Sequence, residues 1–171
     1  EIGVRLVGSE MCIRDSSYDA ALKSIDRIAK PSAQILEAKQ KILFQLGTQS
    51  FANADFEQAL KYLNQSIAIG QYNRQTKADA YYWCGESYYR LNRMVEAARD
   101  FNAYLQLTTQ PNNEMYALAN YNLGYIAFHR KDYTQASNYF QKYIQLEKGE
   151  NATALADAYN RIGDCLSLIH I

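Results

Sequence analysis

Two histidines and three cysteines are all that this chain offers for proton shuttling by imidazole, thiolate attack or soft-metal ligation. They are His129, His170, Cys12, Cys84 and Cys165. A serine nucleophile would need an imidazole base held by a carboxylate, and geometry, not presence, defines such a triad. His129 stands in the polar run His129-Arg130-Lys131-Asp132, which reads as a solvated helix end. Cys84 lies within an apolar stretch beside Gly85 and reads as a buried, inert thiol. No histidine and cysteine spacing matches a zinc site, and no glycine-rich loop could cradle a phosphate. Glu86 and Arg90 are four apart and are expected to pair on a helix surface. Asn64-Gln65-Ser66 and Asn151-Ala152-Thr153 match the N-glycosylation triplet, the first inside a helical pattern. These residue types predict no catalytic centre, no metal and no cofactor.

Composition points the same way. The 171 residues carry 18 Lys plus Arg against 18 Asp plus Glu, so no electrostatic field favours nucleic acid or a charged membrane surface. Apolar residues make up 48%, enough for a packed core, yet no run is long enough to span a bilayer. Only 8 glycines and 2 prolines interrupt the chain, while tyrosine reaches 15. Few breakers among mixed polar and apolar residues predict an all-α protein.

The two ends differ from the rest. EIGVRLVGSEMCIRDS, residues 1–16, has neither a helical nor a strand period. LSLIHI, residues 166–171, ends a helical pattern abruptly. Met11–Ser16 translates ATG TGT ATA AGA GAC AG, and Leu166–Ile171 translates CTG TCT CTT ATA CAC ATC. These DNA strings are reverse complements of each other and resemble the mosaic end of sequencing-library adapters. We expect residues 1–16 and 166–171 to be translated adapter, and the native polypeptide to occupy 17–165. Glu1, Glu10 and the lack of a continuous apolar stretch argue against a signal peptide.

Within 17–165 the chain repeats. Gly47, Gly85, Gly124 and Gly163 are spaced by 38, 39 and 39 residues. Ala21, Ala59, Ala97 and Ala136 are spaced by 38, 38 and 39. FQLGTQSF, YWCGESYY, YNLGYIAF and YNRIGDC surround the glycines. SYDAALKSI, DFEQALKYL, RMVEAARDF and DYTQASNYF surround the alanines. Apolar residues recur three and four apart, as in Phe56, Ala59, Leu60, Leu63 and Ile67. The spacing predicts helices over 17–29, 33–53, 55–69, 74–91, 93–107, 113–130, 132–147 and 152–165. Asp55, Asn92 and Asp132 are predicted N-caps. Gly70 suits a helix C′ position, and Pro31 and Pro111 fall in linkers between units.

These motifs resemble the tetratricopeptide repeat. Its first helix carries a large residue, then Leu-Gly, then an aromatic; its second carries Ala, an aromatic and a small residue. Leu43, Leu46, Gly47, Ala59, Leu63 and Ser66 take those roles in the first full unit. Tyr81, Cys84, Gly85, Tyr88, Ala97, Phe101 and Tyr104 do so in the second. Leu123, Gly124, Ala136, Phe140 and Tyr143 do so in the third, and Tyr159, Ile162 and Gly163 begin a fourth. The resemblance implies an all-α solenoid of antiparallel helix pairs stacked into a right-handed superhelix. Its parts would be the second helix of one unit, three full units near 33–69, 74–107 and 113–147, and the first helix of another. The period exceeds the family's usual 34 or so, and Tyr104 and Tyr143 stand where small residues are usual. Ser50, Ala127 and Asn120 stand where large ones are usual. Long-period arrays of this kind are similar to those of large bacterial repeat proteins, some of the cell envelope, and further units of the chain are expected at both ends.

The resemblance further implies that the first helices line a concave groove for a partner's peptide segment. Carried over, the groove positions are Lys41, Phe44, Thr48 and Phe51, then Asp79, Tyr82, Glu86, Tyr89 and Arg90, then Leu118, Tyr121, Tyr125, Phe128 and His129. The candidate binding set is Phe44, Phe51, Tyr82, Glu86, Tyr89, Arg90, Tyr121, Tyr125, Phe128 and His129. Thr48, Glu86 and Tyr125 occupy positions where the family's carboxylate clamp needs lysine, asparagine and arginine, so that clamp is not supported. The expected function is a non-enzymatic scaffold that presents an aromatic groove to a peptide or helix of a protein partner, without nucleic acid and without membrane insertion. The alternative is a structural spacer, or a substrate-docking accessory, within a larger envelope or regulatory protein.

Overall fold

The structure, a computed structural model, describes residues 17–111, 113–147, 149 and 151–169. Residues 1–16, 170 and 171, and with them most of the adapter reading, lie outside the described residues. Helical residues 17–26 form α1. There follow α2 (Ala33–Ala52), α3 (Phe56–Ile69), α4 (Arg74–Arg90), α5 (Met94–Leu107), α6 (Glu114–His129), α7 (Tyr133–Leu146) and α8 (Ala152–Ile169). From α2 to α8 each helix packs on its neighbours in sequence, and α2 also reaches α4. The fold is the expected all-α solenoid of antiparallel pairs, α2 with α3, α4 with α5 and α6 with α7.

The pairs close through small-to-large contacts at the repeating glycines. A Cβ built on Gly47 would lie 2.6 Å from Leu63 Cγ. On Gly85 it would lie 2.8 Å from Phe101 Cδ1, and on Gly124 2.8 Å from Phe140 Cε1. Only glycine lets the second helix of each pair seat its large side chain there. Ala59, Ala97 and Ala136, one turn earlier on those second helices, are fully buried. A stack of such pairs buries apolar faces that one hairpin would leave in water.

The turn inside each pair is the same three-residue device. Ala54 N–H bonds Phe51 O and Asp55 N–H bonds Ser50 O; Asn92 and Arg93 bond Tyr89 and Tyr88; Lys131 and Asp132 bond Phe128 and Ala127. These are Schellman closures. Ala54, Asn92 and Lys131 hold positive φ of 60°, 59° and 61°. The last turn residue also starts the next helix: Asp55 and Asp132 cap Gln58 N and Gln135 N at 3.1 Å each. The middle unit departs from expectation. Asn92 sits in the left-handed position, which its short polar side chain tolerates, and the N-cap of α5 is Arg93, without a side-chain cap bond.

Two further expectations are corrected. Gly70 is the C-cap of α3 at φ −56°, not a left-handed C′ residue. Glycine is needed there for space, because a Cβ would meet Lys77 Cδ at 2.4 Å and Ile67 O at 2.7 Å. Helix α8 continues past 165 to Ile169. Leu166, Ser167 and Leu168 contain no breaker, and Ser167 Oγ donates to Gly163 O at 3.1 Å.

Candidate functional site

The first helices of the units, α2, α4, α6 and α8, stand side by side and exchange side-chain bonds across the units. Their shared surface is where the candidate residues fall. On α4, Tyr82 donates its hydroxyl to Glu86 Oε1 at 3.2 Å, and Asn122 Nδ2 of α6 donates to the same oxygen. Burial pushes the Glu86 carboxyl above its ordinary range, against the lowering effect of Asn122, Tyr82 and Arg90. Burial likewise raises Asp79, which accepts from Gln75 Nε2 at 2.7 Å. Tyr89, half-buried, has a hydroxyl raised first by burial and then by Tyr125 and Glu86 nearby.

Across α6 and α8 a second network forms. Tyr121 donates to Asp157 Oδ2 at 2.8 Å, and Tyr125 donates to the same oxygen. Arg161 Nε donates to the Tyr125 oxygen at 3.3 Å and pairs with Asp157 at 3.6 Å and Asp164 at 3.0 Å. Its guanidinium lies 5.7 Å from both the Tyr125 and Phe128 ring centres. That distance is within cation–π range.

The candidate residues thus occupy three environments. Tyr82 is buried: its ring meets Phe101 and Tyr104 edge-on at 5.8 and 5.4 Å, so only its hydroxyl reaches Glu86. Phe51 is drawn into an edge-on cluster with Phe56 and Trp83, and Phe44 packs on the same core. Tyr121, Tyr125 and Phe128 are half-buried, with Tyr121 and Tyr125 both set edgewise on Phe140. Arg90 and His129 are exposed. Sequence reasoning missed Asn122, Asp157 and Arg161. The last two belong to the partial fourth unit, and the 39-residue step from Leu118 and Asn122 would have reached them.

Chemically, the surface can hydrogen-bond and stack. Among the described residues no three His, Cys, Asp or Glu side chains gather as a metal site. Burial, and then Asp100, pushes the Cys84 thiol upward, away from a reactive thiolate. No described helix is long and apolar enough to cross a membrane.

No curated protein matches the chain. Among solved structures it is similar to BtubC (BKLC) from P. vanneervenii, at TM-score 0.72 and 14% identity over 98% of this chain and 70% of that one. It is also similar to a MamA protein, at TM-score 0.61 and 17% identity over 94% of this chain and 84% of that one. MamA 41-end from Desulfovibrio magneticus RS-1 gives TM-score 0.57 and 18% identity over 95% of this chain and 91% of that one. At such identities the likeness is one of fold. Two tetratricopeptide-repeat family models match residues 44–114 and 117–149, together more than half of the chain. The glycine–aromatic pairs, the recurring turns and these matches agree, and the chain belongs to the tetratricopeptide repeat family.

Proposed function

We propose that this interaction scaffold, non-enzymatic itself, takes a partner peptide on the inner face between α4 and α8. Proteins of this family serve generally as protein-interaction scaffolds, and the finer reading concerns where and how. One observation carries it: Tyr89, Tyr125 and Phe128 keep part of their rings accessible while hydrogen bonds and packing from neighbouring helices fix them. Rings held in place lose little freedom on binding, and Tyr and Phe supply large contact area with few rotors. A short extended or helical segment with apolar side chains suits such a row.

A structural role is favoured for the first unit, where Phe44 and Phe51 are spent on packing against α3 and α4. The test is selection of a phage-displayed library of short random peptides on the 171-residue chain. Binders should lose about 1–2 kcal/mol of affinity on Tyr89→Ala or Tyr125→Ala and none on Lys61→Ala of the exposed outer face. Equal affinity for all three variants would remove the groove assignment.

A further inference from the structure

The buried core falls into two clusters that part along α6: Leu123 and Ile126 belong to the first and Ala127 to the second. Helix α5 also packs on α6 less extensively than α3 on α4 or α7 on α8. At this seam a cleft of about 200 Å³ opens between α5, α6 and α7. Ala98, Leu123, Ile126 and Ala127 form its apolar walls, and Arg130 and Tyr139 stand among its polar lining. All three helices lie inside the array, with α4 before them and α8 after. None of the inner-face candidates lines the cleft.

Two small residues make the space. Ala98 stands 38 residues after Leu60, and Ala127 stands 39 after Tyr88. Leu60 and Tyr88 are large, buried and members of one cluster, so the seam before this one is filled from within. There the Tyr88 ring is 8% exposed, with the Arg93 guanidinium 4.7 Å from its centre. Tyr139 replaces Asp100 at the same step and walls the later cleft without closing it. The volume suits one aromatic ring, since an apolar cavity of about 150 Å³ admits benzene. At the rim Arg130 is exposed, and among the described residues its guanidinium has no ion pair or hydrogen bond. Asp132, close by, is engaged in capping Gln135 N.

We propose that this cleft takes a phenylalanine or tyrosine ring of a partner polypeptide, with an acidic residue beside that ring paired to Arg130. The partner's ring does at this seam what Tyr88 does at the seam before it. The unpaired guanidinium supplies the charge that the acidic residue answers, and it can also lie on the ring as Arg93 lies on Tyr88. The site is separate from the inner groove, and either reading can fail without the other.

Nuclear magnetic resonance titration of the 171-residue chain with acetyl-Glu-Phe-Glu-amide tests it, beside the Gln-Phe-Gln and Glu-Leu-Glu counterparts. The first peptide should give saturable shifts centred on the amides of Ala98, Ala127 and Arg130, and the leucine peptide should bind more weakly. Ala127→Tyr puts the chain's own ring into the cleft and should remove saturation over the same range. Ala98→Leu, which copies Leu60, takes its place if circular dichroism shows lost helicity. Arg130→Gln, on the exposed rim, should weaken the acidic peptide roughly twofold to fivefold and leave the glutamine peptide as it was. Absence of saturable shifts would overturn the proposal, as would shifts centred on Tyr89 and Tyr125 of the inner face. So would a cleft-filling variant that binds as the parent does, or a leucine peptide that binds as tightly as the phenylalanine one. An Arg130→Gln chain that still prefers the acidic peptide would overturn the pairing with Arg130.

Discussion

On α4 the carboxylate that holds the tyrosine belongs to the same helix, whereas on α6 it belongs to the next. Tyr82 and Tyr121 occupy equivalent steps, as do Glu86 and Tyr125. Where Glu86 sits one turn from Tyr82 it closes the bond locally and draws Asn122 in from α6. Where Tyr125 replaces that glutamate, Tyr121 and Tyr125 both turn to Asp157 of α8. The same positions thus give an intrahelical anchor in one unit and an interhelical strap in the next. Tyr82 and Tyr121, at the same step of the repeat, both reach a carboxylate, one on its own helix and the other on α8.

The largest test of this contrast is made underneath it. Phe101→Ala and Phe140→Ala should each cost about 3–5 kcal/mol in urea unfolding, because both rings are fully buried. They should differ in a second readout. Phe140 supports both Tyr121 and Tyr125, whereas Phe101 supports Tyr82 alone among the candidate tyrosines. Loss of near-ultraviolet tyrosine dichroism should therefore be greater for Phe140→Ala. Equal losses would mean that Asp157, not the ring beneath, orders the pair.

The next effect concerns the carboxylates themselves. Glu86→Ala leaves the Tyr82 hydroxyl and the Asn122 amide without their shared acceptor, at a cost of about 1–3 kcal/mol. Asp157→Ala should cost less, about 1 kcal/mol, because the Asp157 side chain is 29% exposed and water can accept from the two freed hydroxyls. Chemical denaturation of the two variants ranks them, and the reverse order would make α8 the stronger anchor.

Acidification sharpens the same comparison. The folded Glu86 carboxyl titrates above its usual 4.5, mainly through burial. The folded state therefore binds a proton more readily than the unfolded chain. Its contribution is fully present below the unfolded value and is lost as pH rises through the folded one. Stability should rise as pH falls through the folded value toward the usual 4.5. Glu86→Gln should flatten that part of the curve, while Asp79 and Asp100, also raised by burial, keep theirs. An unchanged slope in Glu86→Gln would assign the pH dependence to those two instead.

The positions and types of the helices were legible because glycine, alanine and aromatic residues recur at a nearly constant step. Capping was less so. Asn92 suits both an N-cap and a left-handed turn, and residue type alone does not separate the two when the turn has only three residues. Gly70 carries the residue type of a C′ cap, yet what it supplies is space beside Lys77. In the groove, candidate rings diverged because their neighbours differ. Tyr82 meets Phe101 and Tyr104 and is buried, whereas Tyr125 meets Phe140 and Arg161 and keeps an accessible edge. That distinction depends on side chains 15 or more residues away, which a local pattern does not weigh.

The smallest expected effect is in the turns. Ala54 holds a positive φ that an alanine disfavours, so Ala54→Gly should raise stability by about 0.5–1 kcal/mol. A loss in thermal melts would show that the added freedom of the unfolded chain outweighs the relief.

Those turns also bear on how the repeat can change length. Each of α3, α5 and α7 has 14 residues, and each turn before them has three residues, all engaged in closing one helix or starting the next. The stretches leading into α4, α6 and α8 are unequal: 70–73, 108–113 and 147–151. The turn and second helix behave as a fixed cassette, and the junctions between units as adjustable spacers. An added residue in a spacer would alter the angle at which one unit meets the next, while one added to a turn would undo a cap and a closure together. Drift of the period between 38 and 39 is therefore confined to the junctions and the first helices, where length sets the curvature of the array without disturbing the pairs that build it.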